Sequence, residues 1–246
     1  MISRRGWLIL IIIIVVLAGA LLSFFLFFSI PQNVENPSRT VSAVINLPAP
    51  DKTGNMSVEQ AIQDRRSVRE YSNQSLSLKD ISQLLWAAQG ITDNKNNLRA
   101  APSAGRVYPL EVYVVAGNGS VTGLDEGVYH YNPQNNTLEK ILTTDKRSDL
   151  AKAADNQPWV SHAPVDIVIT GVYQRTFNKY GNNNESIRFV QQESGTAGEN
   201  IYLEATERCL VTVSIGSFTD NSVKTVLNLP ADEYPMFIFP VGFQQS

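Results

Sequence analysis

Arg65-Arg66-Ser67-Val68-Arg69-Glu70-Tyr71 places three guanidinium groups and a hydroxyl within five positions. A guanidinium presents a planar fork that matches phosphate oxygens, so Arg65, Arg66 and Arg69 with Ser67 form a candidate anion cradle. The same residues also read as a solvated helix end, because cations near a helix C-terminus are mildly favourable. The helix in question begins at Ser57-Val58-Glu59-Gln60, which has the form of a capping box, with Val58, Ala61 and Ile62 as its apolar stripe. A second stretch, Ala101-Pro102-Ser103-Ala104-Gly105, combines small side chains with a hydroxyl, so a flat ligand could approach its backbone closely. By itself it is an ordinary turn. His130 and His162 lack any cysteine at ligand spacing, which argues against zinc. Neither a Gly-x-Ser-x-Gly elbow, nor a P-loop, nor Gly-x-Gly-x-x-Gly is present, so hydrolase and dinucleotide-binding readings lack support.

The elements that must position these groups follow from pattern. Ser77 starts a helix carrying Ile81, Leu84, Leu85 and Ala88, which Gly90 stops. Leu110–Ala116 reads as a strand, Gly127–Tyr131 with Leu138–Ile141 as a hairpin, and Asp149–Ala154 as a short helix. The continuous apolar run Val165–Tyr173 suits a strand covered on both faces. A long helix is expected over Phe189–Cys209, with Cys209 as a buried small apolar residue, then strands at Leu210–Ile215 and Met236–Val241. The class is α+β: a mostly antiparallel central sheet flanked by helices.

Ahead of this domain, Gly6–Ile30 is apolar and uncharged. As a helix it is about 37 Å long, enough to cross a bilayer core of about 30 Å. We expect residues 1–30 to be an uncleaved transmembrane anchor, 31–55 a polar, proline-bearing linker and 56–246 the domain. Arg4 and Arg5 on the short flank place the N-terminus in the cytoplasm and the domain outside as a single-pass membrane protein. The sequons at Asn55, Asn73, Asn118, Asn135 and Asn184 are compatible with that side. A net charge of −3 gives no basic surface for nucleic acid, and one cysteine allows no internal disulfide.

Taken in order, the segments resemble one family. The arginine heptad, Ala101–Gly105 leading to Tyr108-Pro109-Leu110-Glu111-Val112-Tyr113, and Gly127-Val128-Tyr129-His130-Tyr131 are similar to the FMN-dependent nitroreductase superfamily, most of all its SagB/ThcOx-type dehydrogenase branch. The resemblance continues through Arg175, Lys179-Tyr180-Gly181, Glu193-Ser194-Gly195, Glu199–Leu203, Ile215–Phe218 and Pro240-Val241-Gly242, covering residues 56–243. It implies that Arg65, Arg66, Ser67 and Arg69 grip the phosphate, ribityl chain and pyrimidine edge of FMN. It further implies that Pro102, Ser103 and Ala104 line the flavin, commonly from the other subunit of a homodimer. Gly216 and Ser217 match the turn whose backbone approaches the ring, and Lys179 and Tyr180 match a pair near the substrate in the azoline-oxidising branch. The implied activity is a membrane-anchored FMN oxidoreductase transferring hydride in two half-reactions, with NAD(P)H as a candidate donor and a small molecule or peptide as substrate. Two alternatives remain beside it: a non-catalytic flavin-binding or interaction module outside the cytoplasm, and an azoline-type peptide dehydrogenase. Three positions depart from the pattern: no basic residue near the C-terminus, Cys209-Leu210 in place of Gly-Leu, and Gly195-Thr196 in place of Gly-His.

Overall fold

The computed structural model describes residues 39–245. The N-terminal half supplies β1 (Ala43–Asn46), α1 (Val58–Asp64), β2 (Leu76–Ser77), α2 (Leu78–Gln89), β3 (Ile91–Asp93), β4 (Leu98–Arg99) and β5 (Leu110–Ala116). Next come β6 (Val121–Thr122), β7 (Gly127–Asn132), β8 (Thr137–Leu142), α3 (Arg147–Ala153), α4 (Pro158–His162) and β9 (Val165–Val172). The chain closes with α5 (Tyr173–Tyr180), α6 (Asn184–Glu207), β10 (Leu210–Thr212), α7 (Asp220–Leu227) and β11 (Glu233–Phe243).

Local chemistry sets the helix boundaries. The Ser57 side chain accepts the Gln60 N–H to open α1, and Ser77 with Asp80 forms a reciprocal capping box at α2. Asn183 caps α6, the longest helix described at 24 residues.

Seven strands form one sheet in the order β1-β8-β7-β5-β9-β11-β10, and every neighbouring pair is antiparallel. All eight residues of β9 are buried, as a central strand covered on both faces requires. Alternation divides the core. On β5, Leu110, Val112, Val114 and Ala116 pack with Leu84 of α2 and Ile201 of α6, whereas Tyr113 and Val115 pack with Leu150 of α3, Val160 of α4 and Val223 of α7. Helix α6 lies so close to the sheet at Gly198 that a Cβ there would come within 2.7 Å of Phe239. A glycine is the residue that permits this approach.

The structure adjusts two expectations, for the linker and for Cys209, and adds two elements between them. The expected linker does not run free to residue 55. β1 pairs with the β8 edge, and beyond it Gln83 clamps the chain by accepting the Asp51 N–H at 2.8 Å and donating to Asp51 O at 2.9 Å. Residues 91–99 fold into the small β3–β4 ladder. The polar stretch ending at Lys179-Tyr180 is a helix, with Tyr173 and Phe177 stacked one turn apart. Cys209 is exposed instead of buried, at φ 57 just past the end of α6. The anchor expected over residues 6–30 lies outside the described residues. Among the described residues no helix is long and apolar enough to cross a membrane.

Candidate functional site

The arginine heptad leaves α1 and runs beside the end of β10. Ser67 bridges Thr212 in parallel fashion, and the Val68 N–H donates to Thr212 O at 3.0 Å. This brings the heptad to the turn that follows β10. Ser67 Oγ and the Tyr202 hydroxyl share a hydrogen bond of 2.9 Å, and that same hydroxyl accepts the Ser214 N–H at 2.7 Å. One tyrosine of α6 therefore ties the arginine segment to the strand-to-turn segment leading to Gly216 and Ser217.

The electrostatics at this corner are open. Arg65 lies over the Tyr202 ring at 5.0 Å, with the half-exposed Glu199 at 3.7 Å, and Arg69 lies over the Trp159 ring at 5.3 Å. Arg66 donates to the backbone carbonyls of Gln63 and Arg65, both at 2.7 Å. Among the described residues, neither Arg66 nor Arg69 has a carboxylate within ion-pair distance. Stacked, carbonyl-bonded guanidiniums keep their charge and most of their donors, which is what an anion requires. The Tyr71 ring anchors the heptad from below: its hydroxyl donates to Val68 O and Pro240 O, and burial pushes its pKa up. The segment after β11 runs alongside, through the Tyr71–Gln244 bridge. A cleft of about 370 Å³ borders the heptad, lined by Asp64, Arg66, Tyr202, Thr206, Thr212 and Gln244.

Gly216 and Ser217 are exposed in the adjoining turn. The Ser217 hydroxyl donates to Asp155 at 2.5 Å, and Gln157 donates to Ser217 O at 3.0 Å, so the β10–α7 turn is held by the α3–α4 connection. A Cβ on Gly216 would meet only Phe237 at 3.9 Å, so its backbone is accessible to a flat ligand.

The other predicted residues form a second group. Lys179 Nζ donates to Gly105 O at 2.5 Å, and a Cβ on Gly105 would lie 2.3 Å from the Tyr180 hydroxyl. The structure thus packs Lys179 and Tyr180, at the end of α5, on the Pro102–Ala104 loop. The chain that leaves this loop is under backbone strain at Arg106 and Tyr108, with φ of 57° and 49°. It is fixed by the Tyr108 N–H donating to Ser103 Oγ at 2.9 Å, by Arg175 donating to Tyr108 O at 3.0 Å, and by Arg99 over the Tyr108 ring at 4.6 Å. Glu193 of α6 lies under the loop, 4 % exposed. Burial pushes its carboxyl up to about 7, with Ser103 and Arg99 pulling the other way.

The two groups share helix α6 as a ruler. Tyr202 belongs to the arginine group and Glu193 to the loop group, about 13 Å apart along the helix. Glu193 was not among the residues expected to act. A signal for it exists in the sequence: Val190, Ala197 and Ile201 define the buried stripe of α6, and Glu193 falls on it.

Comparison with known proteins identifies the family of this fold. The nitroreductase family pattern matches residues 62–243. MJ1384 of Methanocaldococcus jannaschii, named as a nitroreductase, is 40% identical over 185 residues, which is 75% of this chain and 90% of that protein. The trifolitoxin-processing protein TfxB of Rhizobium leguminosarum bv. trifolii is 32% identical over 177 residues, 68% of this chain but only 47% of its own length. Among solved structures, a nitroreductase crystal structure from Ralstonia eutropha superposes with a TM-score of 0.73 at 30% identity, covering 82% of this chain and 90% of that one. With the family pattern running through nearly all of the described domain and a relative 40% identical over three quarters of the chain, this chain belongs to the nitroreductase family.

Proposed function

We propose that the protein is an FMN-dependent oxidoreductase of the SagB/ThcOx-type branch. The observation that carries this reading is the arginine corner: among the described residues its one ion-pair carboxylate is the half-exposed Glu199, 3.7 Å from Arg65, so Arg66 and Arg69 stand without a counter-charge beside exposed hydroxyls and an open glycine turn. That donor set fits a phosphorylated flavin. Arg65, Arg66 and Arg69 hold the phosphate end, Ser67 offers a hydroxyl to the polyol, and the Gly216-Ser217 backbone meets the ring. When bound, the flavin supplies the two-electron redox chemistry, and the chain supplies position and electrostatics.

Pro102, Ser103 and Ala104 complete the site from the partner subunit of a homodimer. The separation of the two groups along α6 supports that arrangement, since the loop stands away from the arginines of its own chain. Lys179 and Tyr180, packed on this loop, face the substrate side, where either could hold or pass a proton. NAD(P)H is the candidate electron donor. The apolar stretch Gly6–Ile30 supports a single-pass membrane anchor with the domain outside the cytoplasm.

A second reading, oxidation of azoline rings in a peptide, is favoured by the Lys179-Tyr180 pair and by the likeness to TfxB. It differs in substrate, not in cofactor. A non-catalytic flavin-binding module would keep the arginine corner without turnover.

The test is the absorption spectrum of the full-length protein reconstituted with FMN, before and after anaerobic NADH or NADPH. A stoichiometric flavin band that bleaches is expected for a nicotinamide-driven reductase, and a persistent band shifts the assignment to the peptide dehydrogenase or the binding module. A protein that takes up no FMN overturns the flavin reading altogether.

A further inference from the structure

Glu193 is a buried carboxyl with no role in the site as described. Among the described residues neither of its carboxylate oxygens has a hydrogen-bond partner, and the same holds for Arg99 Nε and Gln89 Nε2. Arg99 links them, donating to Gln89 Oε1 at 2.9 Å while facing Glu193. An acid and two donors therefore lie unpaired, the acid beside Ser103 of the Pro102–Ala104 loop, whereas buried polar groups are normally satisfied. The side-chain hydroxyl of that loop is Ser103. Its oxygen already accepts the Tyr108 N–H, so its single proton is what remains to be given.

We propose that Glu193 is a positioning residue: its protonation state sets whether the Ser103 hydroxyl donates inward to the carboxylate or outward to a flavin laid over the loop. This rests on the FMN reading above. When Glu193 is ionised, its carboxylate is the stronger acceptor and takes the Ser103 proton as a charge-assisted hydrogen bond. When Glu193 takes up a proton from solvent, the hydroxyl is released to the ligand. Only that proton moves. Arg99 on β4 is the charged group facing Glu193 and favours its ionised form, while Glu111 of β5 and Arg175 of α5 act on Arg99 itself. Lys179 of α5 is held at Gly105 O. Burial pushes the Glu193 carboxyl up to about 7, into the range where such a switch can respond.

The test measures FMN affinity of the full-length protein from pH 5.5 to 8.5 by flavin fluorescence, for wild type, Glu193→Gln and Ser103→Ala. The FMN phosphate titrates in the same range, but this cancels in the ratio of wild type to variant. The expected result is a ratio to Glu193→Gln that falls about fivefold as pH rises through 7, the loss of one hydrogen bond. Ser103→Ala should show the phosphate slope alone. In pH-difference infrared spectra it should retain a protonated-carboxyl band that Glu193→Gln lacks, so the acid still titrates after its reporter is gone. If Glu193→Gln does not fold, Ser103→Ala against wild type carries the affinity comparison. Identical pH profiles in all folded variants, or no neutral-pH titration of Glu193, overturn this proposal while leaving FMN binding intact. Failure of the wild type to bind FMN at any pH overturns the flavin reading and this proposal with it.

Discussion

Two groups of arginines in this molecule differ in their surroundings. At the sheet corner, Arg65, Arg66 and Arg69 stack on rings or bond to carbonyls, and the nearest ion-pair carboxylate is Glu199 at 3.7 Å. On the sheet face that carries Tyr113, the arginines are neutralised. Arg39 pairs with Glu233, which also accepts from the Tyr113 hydroxyl at 2.6 Å and from Thr170 at 2.9 Å. Arg175 pairs with Glu111, whose other oxygen lies 2.7 Å from His130, and His130 reaches on to Glu139 at 3.3 Å. Both regions present guanidinium groups to polar neighbours. The difference is whether the chain itself supplies the counter-charge. Where it does, the arginine is part of the scaffold. Where it does not, the arginine is left for a ligand.

The largest expected effect comes from breaking the paired region. Glu233 is 2 % exposed and serves three donors, so Glu233→Ala leaves a partly buried Arg39 and two buried hydroxyls without their acceptor. Chemical denaturation should show a loss of about 3–5 kcal/mol. The contrasting variant is the double substitution Arg65→Ala with Arg69→Ala. Stability should change by about 1 kcal/mol or less, because exposed stacked arginines contribute little to folding. FMN affinity, read by fluorescence, should fall about a hundredfold, the effect of losing two charge-assisted contacts. The contrast breaks if the double variant unfolds as readily as Glu233→Ala while keeping its FMN affinity.

Acid tests the paired region more gently. Burial alone would raise the Glu111 carboxyl, but the hydrogen bond from His130 and the charge of Arg175 outweigh it and hold it down to about 2, against an ordinary 4.5. A folded pKa below the unfolded one stabilises the protein when the group is ionised. That contribution is complete above about pH 4.5 and is lost as pH falls toward 2. It amounts to roughly 3 kcal/mol at most. Glu111→Gln should be less stable at neutral pH, and its stability should decline less than that of wild type between pH 5 and 2.5. If the two acid profiles run parallel, the Glu111–Arg175–His130 chain is not a stabilising network.

How much of this was legible in the sequence follows from which forces set each feature. Ser57, Ser77 and Gly90 mark helix ends through their own side chains or lack of one, and β5 and β9 declare themselves by apolar runs. Those features are local, and they were read correctly. The heptad could be recognised as a possible cradle, but not the hydroxyl of Tyr202 that joins it to Ser214, because that contact spans 135 residues from Ser67. β1 carries four residues without a buried stripe, and its existence depends on the open edge of β8. Helix α5 has no apolar run to announce it, with Arg175, Asn178 and Lys179 among its eight residues, and its Tyr173–Phe177 stack and its packing against α6 decide for helix. Asp166 shows the same limit: it sits in an apolar run, fully buried and without a hydrogen-bond partner among the described residues, with burial pushing its carboxyl well up.

Cys209 gives the smallest effect and the finest probe of the boundary between the two kinds of region. It follows the α6 C-cap, donates its N–H to Thr206 O at 3.1 Å, and has a left-handed φ of 57°. In that conformation a Cβ crowds the adjacent carbonyl, which is why glycine is favoured at this position after a helix. The Gly-Leu of the resembling branch thus reflects a backbone demand, one that Cys209-Leu210 meets at some strain. Glycine loses more freedom on folding, which offsets part of the gain. Cys209→Gly should therefore raise stability by about 0.5–1 kcal/mol in urea denaturation and leave FMN affinity unchanged. Cys209 also lines the cleft that borders Arg66. A variant more stable but weaker in FMN binding would show that the thiol touches the ligand, extending the open, ligand-facing region past the arginines to the end of α6.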